Sequence, residues 1–269
     1  MILREKFWLW GHPEGRYNNN ADDFGCPDES RMTPMEACLY LGVKNVFMVP
    51  VGVEVNRRQY NKSFKTLSQV GWECFDAIEN PEKIETIIND SKDFDNITCA
   101  VVDDFKNPDD SGIPRYKNHS SMEALKKINE RLHNNEHKKL DSWMVLYTHQ
   151  FGVDKSEDEE FRPFMDEFDG VIMWNWKESA YKEIPQKFEI FKSLTPFTRR
   201  MAGCYLYNFG EKKQATAETV KWQLDFWKEK LLSGEIEGVV LHTNTMADLD
   251  YEAYDAACKW MEEHGDEEI

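Results

Sequence analysis

The sequence is poor in features that usually give a protein away. Its six cysteines, Cys26, Cys38, Cys74, Cys99, Cys204 and Cys258, are scattered with no Cys-x-x-Cys pair. That argues against a disulfide scaffold and suits a reducing cytosol. Cys38, Cys99, Cys204 and Cys258 fall in apolar helix or strand positions, where a free thiol behaves as a small hydrophobe. No apolar run is long enough to span a bilayer, and the opening residues lead into a strand without a secretory signal pattern. A cytoplasmic protein is the expectation. Bases are the minority, 33 against 50 acids, for a formal charge of -17. Such a balance repels a phosphate backbone and an anionic membrane, so neither nucleic acid nor membrane is expected as a partner. Neither G-x-x-x-x-G-K-[ST] nor G-x-G-x-x-G occurs, so nucleotide chemistry lacks its usual signature. A G-x-S-x-G elbow is absent too. There is no linker, no sequence repeat and no low-complexity segment beyond the acidic last residues.

What is present is an alternation. Short β-branched or aromatic runs begin near Phe7, Val43, Trp72, Ile97, Trp143, Val171, Met201 and Val239, and a helix-like segment follows each. Strands alternating with helices predict βαβ units and a parallel sheet. Eight units in 269 residues predict an α/β fold, a single (β/α)8 TIM barrel over residues 1–269. Apolar residues at 41% suffice for a large core. Local signals agree. Thr33-Pro34-Met35-Glu36 is a capping box with proline in the first turn. Residues 43–51 are almost continuously apolar, as a strand covered on both faces requires. Further strands are expected at 72–78, 97–102, 143–147, 171–173 and 239–241, with a helix over 60–70. Leu125, Ile128 and Leu132 share one helix face, as do Val220, Leu224, Trp227 and Leu231, and also Tyr254, Cys258 and Met261. The loop at 12–30, rich in Pro, Gly and Asn (Pro27 among them), is long enough to serve a site rather than merely connect.

In such a barrel, chemistry sits at the carboxyl ends of the strands. There the sequence supplies His12, Glu54, Asp103, Asp104, His149, Gln150, Asn175, Glu178, Tyr205, Tyr207, His242 and Asn244, with Trp10, Trp174 and Trp176 close by. Carboxylates, amides and indole faces are what a polyhydroxylated ligand requires, so a carbohydrate is the expected substrate. Asp103 and Asp104 follow a strand. By the alternation of side chains one of them, with Asp103 favoured, should face the barrel mouth while the other caps or pairs outside. Glu178, two strands on, is the natural second acid for cleaving a glycosidic bond. Trp174, Trp176 and Glu178 share a parity, as do Tyr205 and Tyr207.

At these residues the chain resembles the TIM-barrel glycoside hydrolases. A strand-four aspartate with a strand-six acid is similar to the arrangement of the retaining α-galactosidase and α-glucosidase clan. That resemblance implies a strand-four nucleophile, Asp103 or Asp104, and Glu178 as acid/base. The clan's lysine-containing strand-four signature is absent, and its strand-six acid is normally aspartate. Strand seven ends in Tyr207-Asn208-Phe209, without the glutamate of the other large retaining clan. His149, Gln150, Asn175 and Asn244 are expected to bind hydroxyls, with His12, His242 and the aromatic rings around them. No cofactor and no metal is expected. Two alternatives stay open: a metal-dependent sugar isomerase or hydrolase using His12, His149 and His242, and a non-catalytic carbohydrate-binding barrel.

Overall fold

The structure is a computed structural model that describes all residues except 27, 109–111, 119 and 120, together with the side chains of 21 and 22. Eight parallel strands close into a barrel: β1 (Phe7–Gly11), β2 (Asn45–Met48), β3 (Gln69–Glu73), β4 (Ile97–Val102), β5 (Asp141–Tyr147), β6 (Gly170–Trp174), β7 (Arg199–Tyr205) and β8 (Gly238–His242). Neighbours run in the order β1-β8-β7-β6-β5-β4-β3-β2 and back to β1. A helix follows each strand: α1 (Pro34–Tyr40), α2 (Arg57–Ser63), α3 (Glu85–Asp93), α4 (Ser121–His133), α5 (Lys155–Met165), α6 (Ile184–Leu194), α7 (Ala217–Leu232) and α8 (Glu252–His264). Strands β1, β2, β6 and β8 are buried along their whole length, because one face fills the barrel and the other meets the helices. The expected helix stripes point inward: Leu125, Ile128 and Leu132 of α4, and Val220, Leu224, Trp227 and Leu231 of α7, are all buried.

The capping box forms as read, with Thr33 Oγ1 accepting from Glu36 N–H and Glu36 Oε2 accepting from Thr33 N–H. Three boundaries differ from the expectation. Strand β2 stops at Met48, since Pro50 has no N–H to donate and Val51 turns the chain at φ 53°. Strand β3 lies earlier, at Gln69–Glu73, and Asp76–Glu79 form a helical turn instead. Glu73 and Asp76 already broke the apolar run, and the β-propensity of Val70 outweighs its place at the end of a helical pattern. Helix α2 accordingly starts earlier, capped by Asn56 Oδ1, and ends at Ser63.

Register decides which residues meet at the top of the barrel. Trp10 pairs with His242, His242 with Tyr205, and Tyr147 with Trp174. These residues at the carboxyl ends of five strands form one rim. Room for the Trp174 indole comes from β7. A Cβ on Gly203 would sit 2.1 Å from Trp174 Cδ2, so only glycine lets the indole lie flat across its neighbour strand.

Candidate active site

At the carboxyl end of the barrel lies a cavity of about 350 Å³, lined by Trp10, His12, Arg16, Tyr17, Phe24, Val51, Asp103, Asp104, Asn107, Tyr147, His149, Trp174, Trp176, Tyr205, Phe209 and His242. Aromatic side chains make most of its wall. Trp174 packs against Tyr205 with centroids 4.7 Å apart and meets Trp10 edge-on at 5.6 Å. Trp176 meets Tyr147 and Tyr205 edge-on and stacks on Phe209.

Asp103 and Asp104 are the two carboxylates lining the cavity among the described residues, and both reach it. The expectation that only one could do so rested on strand alternation, which ends with β4 at Val102. Asp104 then takes a left-handed backbone conformation, φ 53°, which turns its side chain back to the same side. Aspartate tolerates that region better than most residues, but it costs energy and is met most often at functional positions. Burial, the Asp104 charge and Glu73 all push the Asp103 carboxyl well above the usual range, against a bond from the Asp104 N–H. Asp104 is also raised by burial, but less freely, because Tyr147 donates its hydroxyl proton to Oδ1 at 3.0 Å and Arg115 lies near. The pair titrates as a unit in which Asp103 is the better proton holder. Behind it, Glu73 of β3 is pushed up to about 7, mainly by burial. Three phenols surround the pair. Burial and the two aspartates raise Tyr17, Tyr147 and Tyr205, keeping them neutral donors.

Across the mouth, where β8 stands opposite β4 in the strand order, are His12 and His242. His12 Nδ1 lies 2.7 Å from the Val49 carbonyl, which can only accept, so Nδ1 carries the proton. Its Nε2 is left with a lone pair, 3.3 Å from both the Tyr17 hydroxyl and His242 Nε2. Burial pushes His12 down to about 4 and His242 well below its usual value. Both imidazoles are therefore neutral near pH 7. Trp174 Nε1 and His242 Nδ1 are buried without a hydrogen-bond partner among the described residues.

Glu178 is not among the cavity-lining residues. Strand β6 ends at Trp174, so the shared parity stops there. Trp174 and Trp176 face the cavity, whereas Glu178 Oε1 accepts from Thr216 N–H at 2.8 Å and Thr216 Oγ1 at 2.5 Å. These bonds, with Thr219 and Asn208, hold its carboxyl below the usual range against the effect of its own burial. Tyr207 also departs from the strand-seven pattern. Because β7 ends at Tyr205, Tyr207 turns away from the cavity and donates to the carbonyls of Phe24 and Gly25. It thereby pins the β1 loop over the mouth. Asn175 bonds Thr148 and the Lys177 carbonyl, Gln150 bonds Asn107 and the Tyr147 N–H, and Asn244 ties His12 N–H to the Met32 carbonyl. These three amides brace the loops and do not line the cavity. His149 does line it, exposed and stacked on Tyr147. Glu54 is exposed in the β2 loop.

Tyr147, Tyr17, Arg16, Phe24, Asn107 and Phe209 belong to the wall but were not singled out from sequence. Tyr147 was within reach, as the last residue of β5 in register with Trp174. Tyr17 and Phe24 lie in the long β1 loop, whose composition carries no periodicity. Among the described residues no group of three or more His, Cys, Asp and Glu side chains is arranged to hold a metal ion. No helix among them is long and apolar enough to cross a membrane.

No family model and no curated protein matches the chain. Solved structures do. A proposed α-L-fucosidase from Bacteroides thetaiotaomicron superposes with TM-score 0.63 at 9% identity, over 98% of this chain and 95% of the other. Active domain 2 of the thermostable chitinase from Pyrococcus furiosus, complexed with chito-oligosaccharides, gives 0.60 at 13%, over 98% and 97%. Xylanase A of P fluorescens subsp. cellulosa, in complex with xylopentaose, gives 0.57 at 10%, over 94% and 97%. The chain has the fold of the TIM-barrel glycoside hydrolases. At these identities the likeness is one of architecture, and a barrel hosts many chemistries.

Proposed function

We propose that the chain is a glycoside hydrolase whose proton chemistry is carried by Asp103 and Asp104. The observation behind this reading is the pair itself: two adjacent carboxyls in an aromatic cavity, with environments that separate their proton affinities. Divergent pKa values in such a pair divide the roles of acid and base. Asp103, the better proton holder, is the general acid toward the leaving oxygen. Asp104, whose ionised form accepts a hydrogen bond from the Tyr147 hydroxyl, is the carboxylate that stabilises positive charge developing on the sugar. Trp10, Trp174, Trp176 and Tyr205 provide faces on which the C–H surface of a pyranose can lie, and His12, His149 and His242 lie within the same cavity as polar contacts. At about 350 Å³ the space is small for a ligand site, which suits one or two sugar rings. Glu178 is assigned to bracing α7 rather than to the reaction. Fold neighbours that act on or bind oligosaccharides support the reading without identifying the sugar.

The test is incubation with α- and β-linked aryl glycosides and oligosaccharides, followed by mass. A gain of one water per bond cleaved is the expected product signature. Asp103→Asn and Asp104→Asn should each lower kcat by at least ~10²-fold while leaving the circular dichroism spectrum unchanged. Normal turnover in both variants overturns the assignment.

A further inference from the structure

The amino end of the barrel carries a second cavity, of about 380 Å³, which the proposed reaction does not use. A layer that merely closes a barrel is filled by branched apolar side chains. Here register assembles a different set. Trp8 pairs with Asn45, Asn45 with Gln69, and Trp143 with Gly170, which pairs in turn with Arg199. All of these but Gly170 line the cavity. Side chains two apart on a strand share a face, so Trp8 stands on the same face of β1 as Trp10, which lines the cavity at the other end. Trp8 stacks on Phe47 with centroids 4.4 Å apart. Trp143 lies across Gly170, where a Cβ would sit 2.2 Å from its Cζ3, just as Trp174 lies across Gly203. Packing thus seats two indoles at this end as well.

The polar groups of this layer leave both donors and acceptors unspent. Asn45 gives its two amide protons to the carbonyls of Glu5 and Phe7, at 2.9 Å each, which identifies Oδ1 as its remaining group. That oxygen is buried and has no partner among the described residues. Gln69 is the converse: its Oε1 accepts from the Thr98 hydroxyl at 3.3 Å, and its amide N–H groups are left over. Arg199 donates to Asp141 at 2.6 Å, lies 3.6 Å from Glu237 and covers Trp143 at 4.9 Å. Charges paired in this way do not call for an ion. Donors and acceptors side by side call for a group that does both, and a hydroxyl does. We propose that this cavity binds one neutral pyranose ring, its C–H face against the Trp8 indole and its hydroxyls between Asn45 Oδ1, the Gln69 amide and the Arg199–Glu237 pair. Such binding requires no glycosidase activity at the other end. A barrel interior is a packed core rather than a pore, so no glycan threads from one cavity to the other, and the two ends hold separate rings.

The experiment follows the indole N–H signals of isotope-labelled protein by NMR during titration with methyl α- and β-glycosides of glucose, galactose, mannose and xylose. Trp8→Phe, Trp143→Phe and Trp174→Phe assign the three signals that matter. Those of Trp8 and Trp143 should move along one saturating curve for at least one sugar, with a Kd of about 1 mM or tighter. Asn45→Leu is the direct variant, but it also cuts loose two main-chain carbonyls and can unfold the chain. Gln69→Leu and Glu237→Ala, at the rim, therefore carry the test. Each should raise that Kd roughly two- to tenfold, the loss expected for one hydrogen bond, without changing the midpoint of any movement of Trp174. Trp8 and Trp143 signals unmoved by every sugar at about 50 mM, or a Kd indifferent to both rim substitutions, overturn the inference. Movement of Trp174 alone places sugar at the carboxyl end only, which overturns it too and leaves the glycosidase reading intact.

Discussion

Tyr147 is the residue on which the proposed division of labour between the two aspartates turns. Its hydroxyl bond to Asp104 Oδ1 is made to the charged form and lowers that carboxyl, whereas Asp103 takes only the weaker help of the Asp104 N–H against the combined effect of burial, Asp104 and Glu73. A hydrogen bond to a charged group contributes about 1.5–3 kcal/mol, so Tyr147→Phe should reduce kcat/KM by roughly ten- to a hundredfold. It should also move the acid limb of the pH profile upward, because Asp104 then ionises less readily. A fall in rate with an unmoved limb would mean that Tyr147 only shapes the wall. At this scale the sequence was legible where a strand runs into a polar residue at its carboxyl end, as at Asp103 and His242. Asp104 was misjudged because alternation is a property of extended backbone, and one residue at φ 53° reverses it. Tyr17 was invisible for a related reason: no periodic pattern governs a loop.

Among elements, the turn from β6 into α6 shows how an acid can be drawn away from the mouth of a barrel. Glu178 meets the free N–H of Thr216 at the start of α7, where unsatisfied donors and the helix dipole favour a carboxylate. Glu178→Ala should cost about 1 kcal/mol of stability, the usual loss for a helix-terminal acceptor, and leave kcat within twofold. Denaturant titration and steady-state kinetics check the two halves, and a large loss of kcat would return Glu178 to the reaction. The pairing of β6 with β7 carries a sharper expectation. In Gly203→Val the new side chain must enter the space of the Trp174 indole, an overpacking that costs ~1–3 kcal/mol. The same displacement should quench or shift the fluorescence response to bound sugar. Strand count, strand type and most helix faces could be read directly, since burial on both sides leaves little freedom in composition. Ends of β2 and β3 could not, because Pro50 and Val70 are governed by what their neighbours bond to rather than by their own pattern.

The whole molecule balances buried groups whose titrations oppose each other. His12 and His242 are depressed below 6.5. Between the unfolded and folded values the unfolded chain binds more protons, so their contribution is present above about 6.5 and is lost as pH falls toward 4 and below. Glu73 is raised to about 7, and Asp103 is raised with it. Here the folded chain binds more protons, so stability is lost as pH rises from about 4.5 through 7. Urea midpoints should show Glu73→Gln more stable relative to the parent at pH 8 than at pH 5. His12→Asn should flatten the loss of stability between pH 6.5 and 4. Parallel pH curves for parent and variants would mean that these groups are hydrated in solution. The acidity of the chain as a whole, legible from composition, says little about any of this, because the groups that matter are buried and few.

Both acids sit at the end of one strand, and this has a consequence for how the protein can change. Where two catalytic carboxyls come from different strands, every insertion between them risks their spacing. Here the pair proposed to react travels as a unit on the β4 terminus, referenced to the adjacent strand through Tyr147. The other strand-end loops are free to be exchanged, lengthened or recombined, altering the wall of the cavity while the aspartate pair stays whole. A barrel of this kind offers grafting sites on most of its rim and a single segment that must be left alone.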